Sequence, residues 1–203
     1  MWIPIALSRD VPSGITRSVI LNGAELVVWR AESGALQVWE DRCPHRGMRL
    51  SFGFVRGEAL NCIYHGWQYG TGSSCQKIPA HPDLTVPHTI RANAFPAVER
   101  SGMIWTRRGE ETAAPELPMA VPVASIAIAA AADAILALCA AARQGSAQIF
   151  AVELERMKFQ IGWHDVDAGK TMLHASLRGS GDMTKALAAL RSLRALAEAR
   201  AAA

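Results

Sequence analysis

The sequence predicts a mainly β, α+β chain in three parts: an antiparallel β domain over residues 1–108, a proline-rich linker over 109–122, and a small α+β module over 123–203. Three observations predict it. Short β-type segments separated by turn dipeptides fill the first half. Pro115, Pro118 and Pro122 then interrupt a stretch of small and acidic residues, which favours an extended connection. Apolar residues recur at helical spacing only after residue 120.

Taken in order, residues 18–21, 25–30 and 36–40 alternate or run apolar. Asn22-Gly23 and Ser33-Gly34 lie between them and supply the positive φ of tight hairpins, so two consecutive hairpins are expected. Gly53, Gly57, Gly66, Gly70 and Gly72 punctuate the next stretch, and 104–106 reads as a closing strand. Beyond the linker, 124–143 reads as a helix, 149–154 as a strand, and 159–177 as a hairpin turning near Asp167-Ala168-Gly169. A last helix begins at Met183 with Asp182 as its N-cap, and its apolar stripe of Leu190, Leu193 and Leu196 should pack against a sheet.

With half of its 203 residues apolar and 19% charged, the chain is neither disordered nor fibrous. The formal charge is +3, and its basic excess lies in residues 1–108, which hold 12 Lys+Arg against 8 Asp+Glu. Without a Lys/Arg-rich run, that excess argues against nucleic acid as a partner. Four cysteines are too sparse for a disulfide framework, and the first residues lack the pattern of a secretory signal, so reduced thiols and a cytoplasmic location are expected. Residues 123–142 carry Asp133 as their single charge and approach bilayer length. They are mostly alanine, and a central charge costs about 2.5–3.5 kcal/mol on insertion, so a packed helix is expected and no membrane span.

The chemistry concentrates in two pairs. Cys43-Pro44-His45 is followed sixteen residues later by Cys62-Ile63-Tyr64-His65, each pair in a loop between strand-like segments. A [2Fe-2S] cluster with two thiolates on one iron and two imidazoles on the other needs two such loops facing each other. A structural Cys2His2 zinc site uses the same donors, but its finger form pairs cysteine with cysteine and histidine with histidine. The mixed pairing favours the cluster.

Cys43-Pro44-His45-Arg46-Gly47, Tyr64-His65-Gly66-Trp67 and Ile78-Pro79-Ala80-His81-Pro82 resemble the Rieske domain of the Rieske non-haem iron oxygenases, especially the demethylating and hydroxylating group that includes vanillate demethylase oxygenase. The resemblance covers about residues 1–108. It implies a Rieske [2Fe-2S] cluster held by Cys43, His45, Cys62 and His65, and electrons received from an NAD(P)H-linked reductase or a ferredoxin. It further implies an oligomer, with a full-length oxygenase subunit as a further partner. The respiratory type of Rieske protein is less similar. Its extra cysteines and its serine donor to a cluster sulfur have Gly47 and Trp67 in their neighbourhoods here, which implies a lower potential. Trp67 and Tyr64 are expected to shield the cluster, Cys75 and Cys139 to be packing thiols, and His81 and His88 to lie in a loop. Arg42, Arg46, Arg49 and Arg56 surround the first loop as a solvated rim or as a steering patch for an acidic redox partner.

In that family the Rieske domain feeds a helix-grip domain holding mononuclear iron through two histidines and a carboxylate. The module at 123–203 resembles a truncated form of it, without the expected pattern of two histidines about five residues apart. His164 and His174 become direct cross-strand partners if the hairpin turns through a three-residue loop centred on Gly169. They are then either a structural pair beside Trp163 or ligands of a mononuclear Fe(II) completed by Asp133, Glu153 or Glu155. Three functions follow: an electron-carrying component of an aromatic-ring hydroxylating or demethylating system, a complete small oxygenase, or a non-catalytic assembly subunit.

Overall fold

In the computed structural model, which describes residues 1–109, 113–141 and 147–202, the chain folds as two interleaved units. One is made of Met1–Arg9, Leu21–Gly23 and Val98–Ala203, and the other of Asp10–Ile20 and Ala24–Ala97. Residues 110–112 of the expected linker and 142–143 of the expected helix lie outside the described residues.

Strand β1 (Trp2–Leu7) opens the first unit, and the whole of the second follows it in sequence. There β2 (Thr16–Leu21), β3 (Ala24–Arg30) and β4 (Leu36–Glu40) form the two expected hairpins. A second small sheet follows in the order β5 (Phe54–Arg56), β6 (Ala59–Asn61), β7 (Gln68–Gly70), β8 (Cys75–Lys77), and β9 (Ala94–Phe95) returns to pair with β4. Trp29 and Trp39 meet edge to face at 4.9 Å in the core, with Leu50, Leu60 and Tyr69 packed in the same cluster as Cys43 and Cys62.

In the first unit, β1 pairs with β11 (Met103–Arg107), and β10 (Ala97–Arg100) lies on the far side of β11. A four-stranded antiparallel sheet runs in the order β12 (Val121–Ile128), β15 (Lys170–Leu177), β14 (Met157–Asp167), β13 (Ile149–Leu154). Its apolar face, including Ile161, Trp163, Leu173 and Ala175, clusters with Ala186, Ala189, Leu190 and Leu193 of helix α2 (Met183–Ala201). Asp182 caps α2 by accepting from Thr184 N at 2.8 Å and Lys185 N at 3.2 Å. Leu196 does not join the stripe and is 61% exposed. Ala197 takes its place, because positions 186, 190, 193 and 197 follow the 3.6-residue period.

Two expectations are corrected. The helix expected over 124–143 is strand β12 followed by the short helix α1 (Ala132–Leu138). Val123, Ile126 and Ile128 favour a strand, and a full ladder to β15 outweighs the helix propensity of the alanines. The hairpin from β14 to β15 is also tighter than expected. Asp167 pairs with Lys170, and a bulge falls between Asp165 and Asp167. His164 therefore stands opposite Met172, and His174 opposite Gly162. Among the described residues, no helix is long and apolar enough to cross a membrane.

Candidate metal centre

Two loops in the Asp10–Ile20 and Ala24–Ala97 unit carry the four predicted donors, and their backbones are wired alike. Cys43 N donates to Met48 O at 2.8 Å and Gly47 N to Cys43 O at 2.8 Å; Cys62 N donates to Trp67 O and Gly66 N to Cys62 O, both at 2.9 Å. Each loop thus closes over five residues, with a glycine four positions after the cysteine. Gly47 (φ 75°) and Gly66 (φ 70°) occupy the left-handed region that side chains disfavour, and a Cβ on Gly66 would meet Pro79 Cγ at 3.0 Å. The first loop is anchored by buried Asp41, which accepts from Ser51 N at 2.7 Å and from Ser51 Oγ at 2.6 Å.

The loops bring the four residues together with the sulfurs inside and the imidazoles outside. Cys43 and Cys62 are 3% and 2% exposed, whereas His45 is half-buried and His65 exposed. The two imidazole rings lie 4.6 Å apart between centroids. Trp67 stacks on His45 at 4.2 Å with an interplanar angle of 6°, and Tyr64 leans on His65 at 3.8 Å. Burial pushes the Cys62 thiol up, opposed by the Tyr64 N–H and reinforced by the Cys43 thiol. Desolvation lowers His45, and the His65 and Arg46 charges lower it further, which favours the neutral ring that can donate a lone pair.

This donor set fits a two-iron cluster: two soft thiols meet inside and two imidazoles side by side at the surface. It does not converge on one point. Among the described residues, no three His, Cys, Asp or Glu side chains stand so as to hold a single metal ion.

One contact was not foreseen from the sequence. The Tyr69 hydroxyl lies 3.2 Å from the Cys43 sulfur. Burial first, and then its contact with Cys43, push the Tyr69 hydroxyl well above its ordinary value. The signal in the sequence was an aromatic hydroxyl seven residues past Cys62. Cys75 is also buried, and its thiol is raised mainly by burial and further by the nearby Cys43.

The arginines around the first loop separate in space. Arg42 and Arg46 line a cleft of about 490 Å³ beside His45 with Glu40, Arg91 and Asn93, the last two brought from a distant segment. Arg49 pairs with Glu25, and Arg56 lies 5.0 Å from the Phe54 ring centroid. His81 and His88 are exposed in their loop.

His164 and His174 are both 2% exposed in the other unit. His174 Nε2 lies 3.1 Å from His164 Nδ1, which is also 3.0 Å from the Pro4 carbonyl, while His174 Nδ1 lies 2.9 Å from Ser125 Oγ. A carbonyl only accepts, so His164 Nδ1 carries a proton shared between Pro4 and His174, and the His174 proton sits on Nδ1 facing Ser125. Both nitrogens of His174 are thereby engaged within the fold.

Residues 1–90 match the profile of the Rieske [2Fe-2S] domain. The chain is 44% identical over 115 residues to the oxidoreductase NdmD of Pseudomonas putida, covering 56% of this chain and 20% of that protein. It is 44% identical over 122 residues to the methylxanthine N1-demethylase NdmA of the same organism, covering 58% of this chain and 34% of that protein. The chain thus spans between a fifth and about a third of the length of these curated relatives. The crystal structure of dicamba monooxygenase superposes with a TM-score of 0.77 at 16% identity, over 99% of this chain and 86% of that one. Residues 1–90 thus match the Rieske [2Fe-2S] domain, on a chain that shares its fold with dicamba monooxygenase.

Proposed function

We propose that Cys43 and Cys62 ligate one iron and His45 and His65 the other iron of a Rieske [2Fe-2S] cluster, and that the chain passes single electrons within an aromatic-ring hydroxylating or demethylating oxygenase system. The observation that carries this is the pair of like-wired loops, with buried sulfurs and adjacent outward imidazoles. When bound, the cluster supplies reversible one-electron exchange at a potential raised by its neutral imidazole ligands.

The chain's own residues do the rest. Buried Cys43 and Cys62 would hold the cluster away from water, Trp67 fixes the plane of the His45 ring by stacking, and the Tyr69 hydroxyl lies within hydrogen-bond reach of the Cys43 sulfur. Half-buried His45 and exposed His65 then form the face through which an electron enters and leaves. An NAD(P)H-linked reductase or a ferredoxin is the donor, and an oligomer, alone or with a full-length oxygenase subunit, is the working assembly. The relatives NdmA and 5,5'-dehydrodivanillate O-demethylase, named for demethylation, support that class of system. The free cysteines suit a cytoplasmic location.

The engagement of His174 with His164 and Ser125 supports a structural role for that pair over a second iron site. Iron and acid-labile sulfide analysis of the purified chain tests the reading. Two irons and two sulfides per chain are expected, with visible absorption and a reduced-state EPR signal that Cys43→Ser abolishes. One zinc and no sulfide would sink it, and a third iron lost on His174→Ala would favour a complete oxygenase.

A further inference from the structure

Resting on the cluster reading, we propose that the basic cleft beside His45, built from Arg42, Arg46 and Arg91, is the docking seat for an acidic electron-donor protein and receives its surface carboxylates. The cleft gathers three exposed guanidinium residues on one side of the electron face, against a single lining carboxylate, Glu40. Glu40 also accepts from Asn93 Nδ2 at 3.5 Å, within the same wall. Arg91 is held in place from behind: its Nε and Nη2 donate to buried Ser73 Oγ at 3.3 and 3.2 Å, and Nη2 reaches the Gly72 carbonyl at 3.4 Å. Arg42 lies across the first ligand loop, its Nε 3.4 Å from where a Cβ on Gly47 would stand. Planar guanidinium groups recognise carboxylates in a forked geometry, and a fixed one loses less freedom in doing so.

The arginines elsewhere around the loop are committed differently. Arg49 is paired with Glu25, and Arg56 covers the Phe54 ring, so neither adds to the cleft. The second ligand loop is apolar instead, with Ile63 59% and Tyr64 53% exposed beside His65. The electron face thus has a basic flank and an apolar flank. Transient redox encounters use charge to accelerate approach and a small contact area to allow release. Three cations are too few for a nucleic-acid track but suffice for an acidic protein.

The test follows reduction of the intact chain by stopped flow at low ionic strength, with a photoreduced acidic plant-type ferredoxin as probe and a photoreduced uncharged flavin as control. Calorimetric binding of the oxidised ferredoxin is measured alongside. Arg91→Gln and Arg46→Gln should each lower the ferredoxin rate by about tenfold and flatten its salt dependence, and Arg91→Gln, which lies outside the ligand loops, should leave flavin reduction and the EPR signal unchanged. Arg56→Gln should stay within about twofold of wild type. Equal ferredoxin rates and affinities in wild type, Arg91→Gln and Arg46→Gln would overturn the docking seat while leaving the cluster reading intact, as would a wild type that does not bind the ferredoxin. A chain that binds ferredoxin through these arginines yet holds no cluster would keep the seat and overturn the electron-transfer reading.

Discussion

The Tyr69 hydroxyl stands 3.2 Å from the Cys43 sulfur, with both residues buried. A donor on a ligand sulfur drains negative charge and so favours the reduced, more electron-rich cluster. Tyr69→Phe should therefore lower the reduction potential without loss of iron. A bond worth about 1.4 kcal/mol more in the reduced state corresponds to roughly 60 mV for one electron. Protein-film voltammetry reads the change directly, and an unmoved potential would show the hydroxyl to be a packing contact only.

Gly162 of β14 faces β1 so closely that a Cβ there would lie 2.6 Å from Pro4 Cγ and 3.1 Å from Met103 Sδ. Pro4 is a rigid ring on a strand, so it cannot swing aside. Gly162→Ala should destabilise the chain by about 1–3 kcal/mol through overpacking. Thermal unfolding would register it as a lower Tm, whereas an unchanged Tm would mean that β1 shifts freely.

Glu198 joins α2 to the backbone after β12 by accepting from Ala129 N at 3.0 Å, and it also accepts from Arg194 Nε at 3.0 Å. The Ala129 N–H, assisted by Arg194, holds this carboxyl below its ordinary value of 4.5. Because the folded value is the lower one, the stabilisation is present above the ordinary value and disappears as pH falls through the folded value. Glu198→Gln should lower Tm at pH 7 and match wild type in strong acid. A Tm deficit that persists unchanged in acid would show that the carboxylate charge is not what matters.

Burial pushes the Cys139 thiol above its ordinary value of 9.0. At pH 8 it should therefore alkylate slowly in the folded chain and rapidly in urea, since the thiolate is the reacting form. Mass spectrometry of iodoacetamide-treated protein measures this. Equal rates in both states would place the thiol in solvent.

The two C/H loops that the structure brings together were legible because their information is local. The C-x-H and C-x-x-H pairs and the glycine four residues after each cysteine lie within short loops closed by the same two backbone hydrogen bonds. Arg91 was not legible, since only the return of the chain from β8 to β9 brings it beside Arg42 and Arg46. Strand β12 was misread for the same reason: its alanines carry a helix signal by themselves, and the ladder to β15 that overrides it is a long-range fact. In the last hairpin, strands and turn were readable, but the bulge between Asp165 and Asp167 changed the register that decides which residue faces His164.

Strand β1 pairs with β11 in a register that joins Trp2 to Arg107 and Leu7 to Met103, across the whole span that carries the metal-centre loops. On a ribosome adding about 5–20 residues per second, the first strand would emerge roughly 5–20 s before its partner exists. During that interval the hairpins between them can close, because their contacts are near in sequence. Closure of the short-range hairpins and pairing of β1 with β11 therefore become two separately timed events.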